Sequence, residues 1–399
     1  MRIAYLVSQY PAVNHTFILR EIRSLRAQAF VIDVVSVRSP DRASSAMTAE
    51  EREELGHTRA IKAISLAGAV GAQVLALAGR PAGYLRGLAL AFRMGRGSLP
   101  ATLSHLFYFA EAVIAGRWML AKGYSHFHTH FSSTVGLFIT RVFPLTMSIT
   151  IHGPEEFNDV AGFHLAEKVA ASRLVVAISS YARSQILRSC PPAQWDRVVT
   201  CRLGVDGTVF EPRPEPRDGV PEVLCVGRLA PVKAQYMLIE ALRLLRDRGV
   251  AARLRLVGDG PDRALLDAAA RRMEVADDVI FDGWRNQDEV RALYRRATLF
   301  AMASFAEGIP VVLMEAMAME IACVATRIMG IPELIEDGVS GLLVPPADAV
   351  PLADALERLL RDAALRAELG RNGRGRVLEH FSLGANSLTL GELFRQRLR

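Results

Sequence analysis

Glu307 and Glu315, separated by seven residues in SFAEGIPVVLMEAMAM (304–319), are the side chains of this sequence best placed to do chemistry on a ligand. Gly308 and Pro310 follow the first carboxylate, and an unbroken run of helix formers surrounds the second. Glycine lets backbone approach a ligand closely and proline is accepted in a first helical turn. The spacing therefore predicts a loop opening into a helix whose free N–H groups face outward, an end that attracts anions. Glu307 then sits just before the helix and Glu315 about two turns into it. Carboxylates so placed accept hydrogen bonds from neutral donors, of which sugar hydroxyls are the natural example. A lone pair of glutamates at this spacing is usually two solvated surface groups. Here the preceding ATLFAMAS reads as a buried strand, which puts the pair at the carboxyl end of a strand in an α/β unit, where open parallel sheets bind their ligands.

Two further stretches have the same strand-then-turn form. In EVLCVGRLAPVKAQYMLIEAL, Gly227 allows a tight turn while Arg228 and Lys233 bring two cations to it, suited to a diphosphate. RLRLVGDGPDRALL, with Gly258 and Gly260, is another strand, turn and helix. In the first half of the chain, MSITIHGPEEF ends a strand on His152 and Gly153, which sets an imidazole at a sheet edge. SHFHTHFSSTV places His126, His128 and His130 at the period of a strand. Alternating histidines invite a metal, but no Asp, Glu or Cys stands near them in sequence, so no metal site is expected.

The elements that must carry these residues follow from hydrophobic patterning. IAYLVS, a helix from about Ile18 to Ala27 and FVIDVVSVR open the chain as βαβ, the start of a parallel, doubly wound sheet. Residues 39–56 are polar and acidic and read as a mobile loop. Residues 60–122 are helical in tendency, and Arg80, Arg86, Arg93 and Arg96 interrupt every apolar run before it reaches the roughly 20 residues of a membrane span. RPAGYLRGLALAFRMGRGS mixes basic and bulky apolar side chains as a membrane-surface helix does, and equally as a core helix with a solvated basic face does. Prolines 212, 214 and 216 mark an exposed linker, and βα alternation resumes from Glu222 to the end.

With 399 residues, 51% hydrophobic, the chain is long enough for two domains. Its four cysteines are scattered with no CxxC, so reduced core or surface thiols are expected rather than a disulfide framework or a zinc site. The net charge of +6 is uneven: residues 1–200 hold 21 basic and 13 acidic side chains. That bias suits an anionic membrane or acceptor, while the absence of any nucleic-acid module and of basic residues alternating with aromatics argues against DNA or RNA. MRIAYLVSQYP is strand-like rather than a signal peptide, so a cytoplasmic location is expected.

Taken together, GRL with Lys233, the EX7E stretch, the strand-end His-Gly and the passage CRLGVDGTVF resemble the retaining glycosyltransferases of family 4, in particular the branch that builds exopolysaccharides such as colanic acid. The resemblance is strongest over residues 223–345. It implies a GT-B fold: two Rossmann-like, doubly wound parallel-sheet domains facing a central cleft. Residues 1–203 would bind the acceptor, 204–380 the nucleotide-sugar donor, and 381–399 would form a helix crossing back to the first domain. On the resemblance, Glu307 and His152 are the catalytic pair. Gly227, Arg228, Lys233, Gly258, Arg285, Gly308, Ile309, Pro310 and Glu315 bind the donor, and Phe17, His130 and Glu155 face the acceptor. The branch usually carries Ser-Glu-Thr-Phe where this chain has Asn14, His15, Thr16 and Phe17, so Thr16, Phe17 and the later Glu21 keep the pattern and Asn14 and His15 depart from it; Asn14 or Thr16 also suits a helix N-cap. The implied reaction moves a sugar from a nucleotide diphosphate donor to a lipid-linked or growing saccharide acceptor with retention, without metal or other cofactor, on the inner face of the cytoplasmic membrane. A sugar-nucleotide epimerase of the same fold and a catalytically idle nucleotide-sugar-binding partner of a membrane assembly are the alternatives.

Overall fold

The computed structural model describes residues 1–12, 16–131, 133–212 and 219–398. Asn14 and His15, and Pro214 and Pro216 of the linker, lie outside the described residues.

The chain forms two compact units. The first comprises Met1–Ile178, Ala182–Cys201 and Ser387–Arg399, the second Ser179–Tyr181 and Arg202–Asn386. The last helix, Leu383–Arg397, thus starts in the second unit and ends in the first.

The first unit is built on seven strands: β1 (Arg2–Gln9), β2 (Val31–Arg38), β3 (Thr58–Ala60), β4 (His126–Thr129), β5 (Thr146–Ile151), β6 (Ser172–Ala177) and β7 (Val198–Thr200). Their order is β3-β2-β1-β4-β5-β6-β7, with every pair parallel. The second has six, β8 (Glu222–Val226), β9 (Arg253–Val257), β10 (Val279–Gly283), β11 (Leu299–Met302), β12 (Cys323–Thr326) and β13 (Leu342–Val344), in the order β10-β9-β8-β11-β12-β13, again all parallel. In each sheet the strand order reverses beside the first strand, between β1 and β4 and between β8 and β11. A crevice opens at such a point because neighbouring crossovers leave on opposite faces.

Both faces of each sheet are covered, which is why the central strands are apolar runs rather than alternating ones. In β1, Ala4 and Leu6 enter one core while Ile3, Tyr5 and Val7 enter the other. In β8, Val223 and Cys225 point one way and Leu224 and Val226 the other. Leu390 and Phe394 of the last helix complete the core on the Tyr5 side of β1.

Residues 39–56 correct the sequence reading. Instead of a mobile loop they hold a helix, Ala49–Leu55, started by a capping box between Thr48 and Glu51. Its acidic residues are structural: the buried Glu54 accepts from Tyr10 Oη at 2.8 Å and pairs with Arg26 at 2.5 Å. Partners 44 and 28 residues away turn a polar segment into a docked one.

Helices Leu66–Gly79, Pro81–Met94 and Leu99–Ala121 fill the stretch read as helical. Each leaves large apolar residues in solvent. Leu66, Val70, Val74 and Leu77 recur at helical spacing on the first, Leu85 and Phe92 on the second, and Leu99, Leu103 and Phe107 on the third, where Leu99 is 72% and Phe107 69% exposed. Among the described residues no helix is long and apolar enough to cross a membrane.

Candidate active site

In the second unit the predicted residues gather at the carboxyl ends of β8 to β11. The turn after β8 carries Gly227, exposed Arg228 and Lys233. It is stitched to its neighbours by backbone: Gly227 N–H donates to Val257, Leu229 N–H to Asp259 and Phe305 N–H to Val232. Gly258, at φ +130°, lies so close to this turn that a Cβ there would stand 2.2 Å from the Gly227 carbonyl oxygen. The close approach explains glycine at 258 as packing between turns. Gly258 N–H donates in turn to Gly283 at the end of β10, where Arg285 lies 3.8 Å from both Asp282 and Glu289.

Glu307 is 7% exposed and its Oε1 accepts from Lys233 Nζ at 2.5 Å and from Ser304 Oγ at 2.8 Å. Ser304 is itself anchored, its carbonyl accepting from Thr326 Oγ1 of β12. After Glu307, Gly308 and the buried Ile309 lead to Pro310, whose φ of −70° and ψ of 121° are extended, and the helix runs Val311–Ala318. Glu315 is therefore its fifth residue, just over one turn in rather than the two expected, because the loop stays extended as far as Pro310. Glu315 is 6% exposed; its oxygens meet Tyr294 Oη at 3.3 Å and Gln287 Nε2 at 3.4 Å. Arg228 makes no ion pair among the described residues and remains an exposed cation on the turn that carries Lys233.

The first unit holds a second constellation, at the ends of β4 and β5. His130 Nδ1 lies 2.9 Å from His152 Nε2, and His130 Nε2 lies 3.1 Å from Glu21 Oε1. Tyr5 Oη donates to the same oxygen at 2.8 Å. With Glu21 ionised, His130 Nε2–H donates to it, so Nδ1 of the neutral ring accepts from His152 Nε2–H. Glu21, His130 and His152 thus form a hydrogen-bonded chain from the first helix to the strand-end histidine. Phe17 and Phe131 lie against His152, with centroids 5.0 and 4.7 Å away. Glu155 stands apart, exposed at the start of the short helix Glu155–Asn158.

The absence of a carboxylate near the histidines in sequence does not survive folding: Glu21, 109 residues from His130, is brought to it. Glu21, His128 and His130 offer ligand atoms within 4.8 Å of one another. These nitrogens already have protein partners. His126 bridges Thr146 and Ser148, and His128 bridges Ser148 and Thr150, at 2.7–3.0 Å. Burial pushes His126 down to about 3, with Arg173 adding to the effect, and holds His128 well below the usual histidine range. Both are neutral core histidines on a hydroxyl ladder.

Sequence reasoning did not single out Tyr5, Ser304, Gln287 or Tyr294. No local signal marks them, since each becomes relevant only through a partner at least 16 residues away or, for Ser304, through the turn that returns Glu307 onto it.

Two parallel doubly wound units with ligand-type side chains at the switch point of the second sheet define a GT-B protein. The fold likeness extends over the whole chain: sucrose-phosphate synthase from Thermosynechococcus elongatus superposes with a TM-score of 0.78 at 20% identity, covering 99% of both chains. HepE of Anabaena, in a complex with UDP and glucose, gives 0.74 at 18% identity, covering 99% of this chain and 100% of the other. Residues 220–362 match the family model for glycosyl transferases group 1, so the second unit carries a glycosyl transferase group 1 domain. WcaL of Salmonella typhimurium, a glycosyltransferase assigned to colanic acid biosynthesis, is 36% identical over 214 residues, 52% of each chain. AmsK of Erwinia amylovora, an amylovoran biosynthesis glycosyltransferase, is 33% identical over 204 residues, 49% of each. The chain spans about half the length of the curated relatives it matches.

Proposed function

We propose that the protein is a retaining glycosyltransferase that moves a sugar from a nucleotide diphosphate donor to a lipid-linked or growing saccharide acceptor in cell-surface polysaccharide synthesis. The observation that carries this reading is the Lys233–Glu307 pair at the switch point of the second sheet, with Arg228 on the same turn as Lys233 and Glu315 on the helix that follows Glu307. The likeness to WcaL and AmsK, and the nucleotide in the HepE complex, support the donor class and the pathway class.

In this reading the donor diphosphate meets Arg228, Lys233 and the first turn of Val311–Ala318, which stabilise the charge that grows as the glycosidic bond breaks. Glu315 accepts from ribose hydroxyls, Gly227 keeps a side chain clear of the phosphates, and Gly258 lets the turn after β9 pack against it. No divalent cation is assigned a role in this reading, in which Arg228 and Lys233 supply the positive charge at the leaving diphosphate. Glu307 Oε1 is already held by Lys233 and Ser304, so Glu307 orients and polarises the sugar rather than attacking it. Retention then follows from same-face attack, with the departing phosphate taking the acceptor's proton. His152, hydrogen-bonded to His130, which Glu21 holds in turn, lies with Phe17 on the acceptor-binding unit.

The enzyme is further proposed to work peripherally on the cytoplasmic face of an anionic membrane. The support is the exposed apolar stripes of Leu66–Gly79, Pro81–Met94 and Leu99–Ala121, interleaved with exposed Arg80, Arg86, Arg93 and Arg96.

The decisive experiment is a thermal-shift and mass-spectrometric screen against UDP- and GDP-sugars, with EDTA and with magnesium. Stabilisation by one nucleotide class, equal under both conditions and lost in Lys233→Ala, is the expected result. No stabilisation by any of them would favour an idle partner instead, and an altered nucleotide sugar released without acceptor would favour an epimerase.

A further inference from the structure

The first unit contains a cavity of about 430 Å³, lined in part by Gly153 and Glu155 beside the strand-end His152. Lys168, on the helix Leu165–Ala171, lines it while being only 2% exposed. Its ammonium lies over the Phe163 ring, 5.7 Å from the centroid, and makes no hydrogen bond or ion pair among the described residues. A lysine this deeply buried with no carboxylate at ion-pair distance is costly, and burial lowers it to about 8 even though Glu156 and Glu167 oppose the shift. Two more cations, Arg38 and Lys62, line the same cavity, with the first turn of the helix Ser133–Val142 at Ser133, Thr134 and Val135. Glu111, Glu155 and Glu156 line it as well; Lys62 engages Glu111 at 3.3 Å, and burial raises the carboxyls of Glu111 and Glu156 above the usual range.

The rim has a different character. Tyr108, Phe131 and Phe163 line the cavity, and each is between 36% and 42% exposed. Tyr108 adjoins Phe107, the end of the exposed apolar stripe of Leu99–Ala121. The buried ammonium of Lys168 beside a helix start, in a cavity opening through aromatics onto an apolar surface, suits the chemistry of a phosphorylated amphiphile: anion inside, hydrocarbon outside.

We propose that this cavity binds the phosphate or diphosphate group of the acceptor, with Lys168 and Arg38 as its cations and the attached chain leaving past Tyr108 along Phe107 and Leu103. The proposal rests on the transferase reading for the word acceptor only. The anion site itself is tested without donor or turnover.

Calorimetric titration of the full-length protein with farnesyl diphosphate and with inorganic pyrophosphate is the test. Lys168→Met is expected to weaken farnesyl diphosphate binding roughly tenfold or more, the size of one lost charge-assisted hydrogen bond. Lys168→Arg, which keeps the charge, should retain most of the affinity, and Arg38→Ala, at an exposed position, should weaken binding without touching the core. Lys233→Ala should leave this binding unchanged, which separates the cavity from the donor site. Wild-type affinity in both Lys168→Met and Arg38→Ala, or loss of binding in Lys233→Ala, overturns the proposal. Farnesyl diphosphate binding tighter than pyrophosphate supports a lipid-borne group; equal binding of the two overturns the amphiphile and assigns the cavity to a soluble diphosphate. Loss of all donor-nucleotide binding with these results intact would overturn the transferase reading and leave the anion site standing.

Discussion

Lys233 and Glu307, 74 residues apart, meet at 2.5 Å where the turn after β8 faces the loop after β11. Each explains the other's position. The carboxylate is nearly buried and needs a cation, and the cation is held at the carboxyl edge of the sheet, where the proposed donor diphosphate would meet it.

Removing either member therefore has two separable consequences. Lys233→Ala leaves Glu307 with Ser304 as its remaining hydrogen-bond donor among the contacts described above and should cost about 1–3 kcal/mol of stability. It should also lower kcat by about 10²–10³ through lost stabilisation of the leaving diphosphate. Glu307→Gln should abolish transfer with a smaller change in Tm. Near wild-type turnover in either variant would remove the pair from the proposed mechanism.

Glu21 acts through His130 on His152. Glu21→Ala leaves the fully buried Tyr5 hydroxyl and the His130 ring without their acceptor, so urea unfolding should register a loss of about 1–3 kcal/mol. Glu21→Gln keeps the shape, and its carbonyl can still accept from one donor. Imidazole nitrogen shifts by NMR should show His130 predominantly in one tautomer in the wild type and a mixture in Glu21→Gln; an identical pattern in both would show that Glu21 does not set it.

The neutral histidines of β4 predict an acid-side loss of stability. His126 binds a proton at about 3 when folded and near its ordinary 6.5 when unfolded. Above 6.5 both states are neutral there and the stability is fully present. As pH falls from 6.5 toward 3 the unfolded chain takes up a proton that the folded chain refuses, and stability declines by about 1.4 kcal/mol per pH unit from this residue. His128 adds in the same direction. Urea midpoints measured from pH 7 to 4 in wild type and in His126→Asn check this: the slope should be shallower in the variant, and equal slopes would contradict it.

The apolar stripes predict salt-sensitive binding to vesicles containing phosphatidylglycerol and little to neutral ones, measured by flotation. Leu103→Ser with Phe107→Ser should weaken binding by more than tenfold, since a fully buried side chain of this kind contributes about 1.5–3 kcal/mol. Arg86→Ser with Arg93→Ser should remove most of the salt dependence. Equal flotation of all three proteins would dissociate these helices from any membrane role.

Gly258→Ala should be severe for its size. At φ +130° any side chain is strained, and its Cβ would meet backbone at Gly227 rather than a flexible side chain. A drop in Tm together with loss of donor-induced stabilisation is expected, whereas Gly375→Ala, where a Cβ meets nothing within 4 Å, should leave both unchanged.

Signals contained in contiguous residues were legible in the sequence alone. The βα alternation, the glycine turns, the EX7E loop-and-helix and the strand-end His-Gly depend on local patterning and backbone preference, and a parallel sheet then obliges the strand ends to share one edge. Local preference misjudged the start of the Val311 helix by most of a turn and read residues 39–56 as a loop, because the ion pair and the hydrogen bond that dock the latter come from Arg26 and Tyr10. Only the tertiary structure decided that Lys233 pairs with Glu307, that Glu21 reaches His130, and that Lys168 is buried in a cavity with Arg38 and Lys62. Those relations join residues 74, 109 and more than 100 positions apart, and the physical reason they escape the sequence is that charge and hydrogen bonding act through space, whereas sequence pattern reports only on neighbours along the chain.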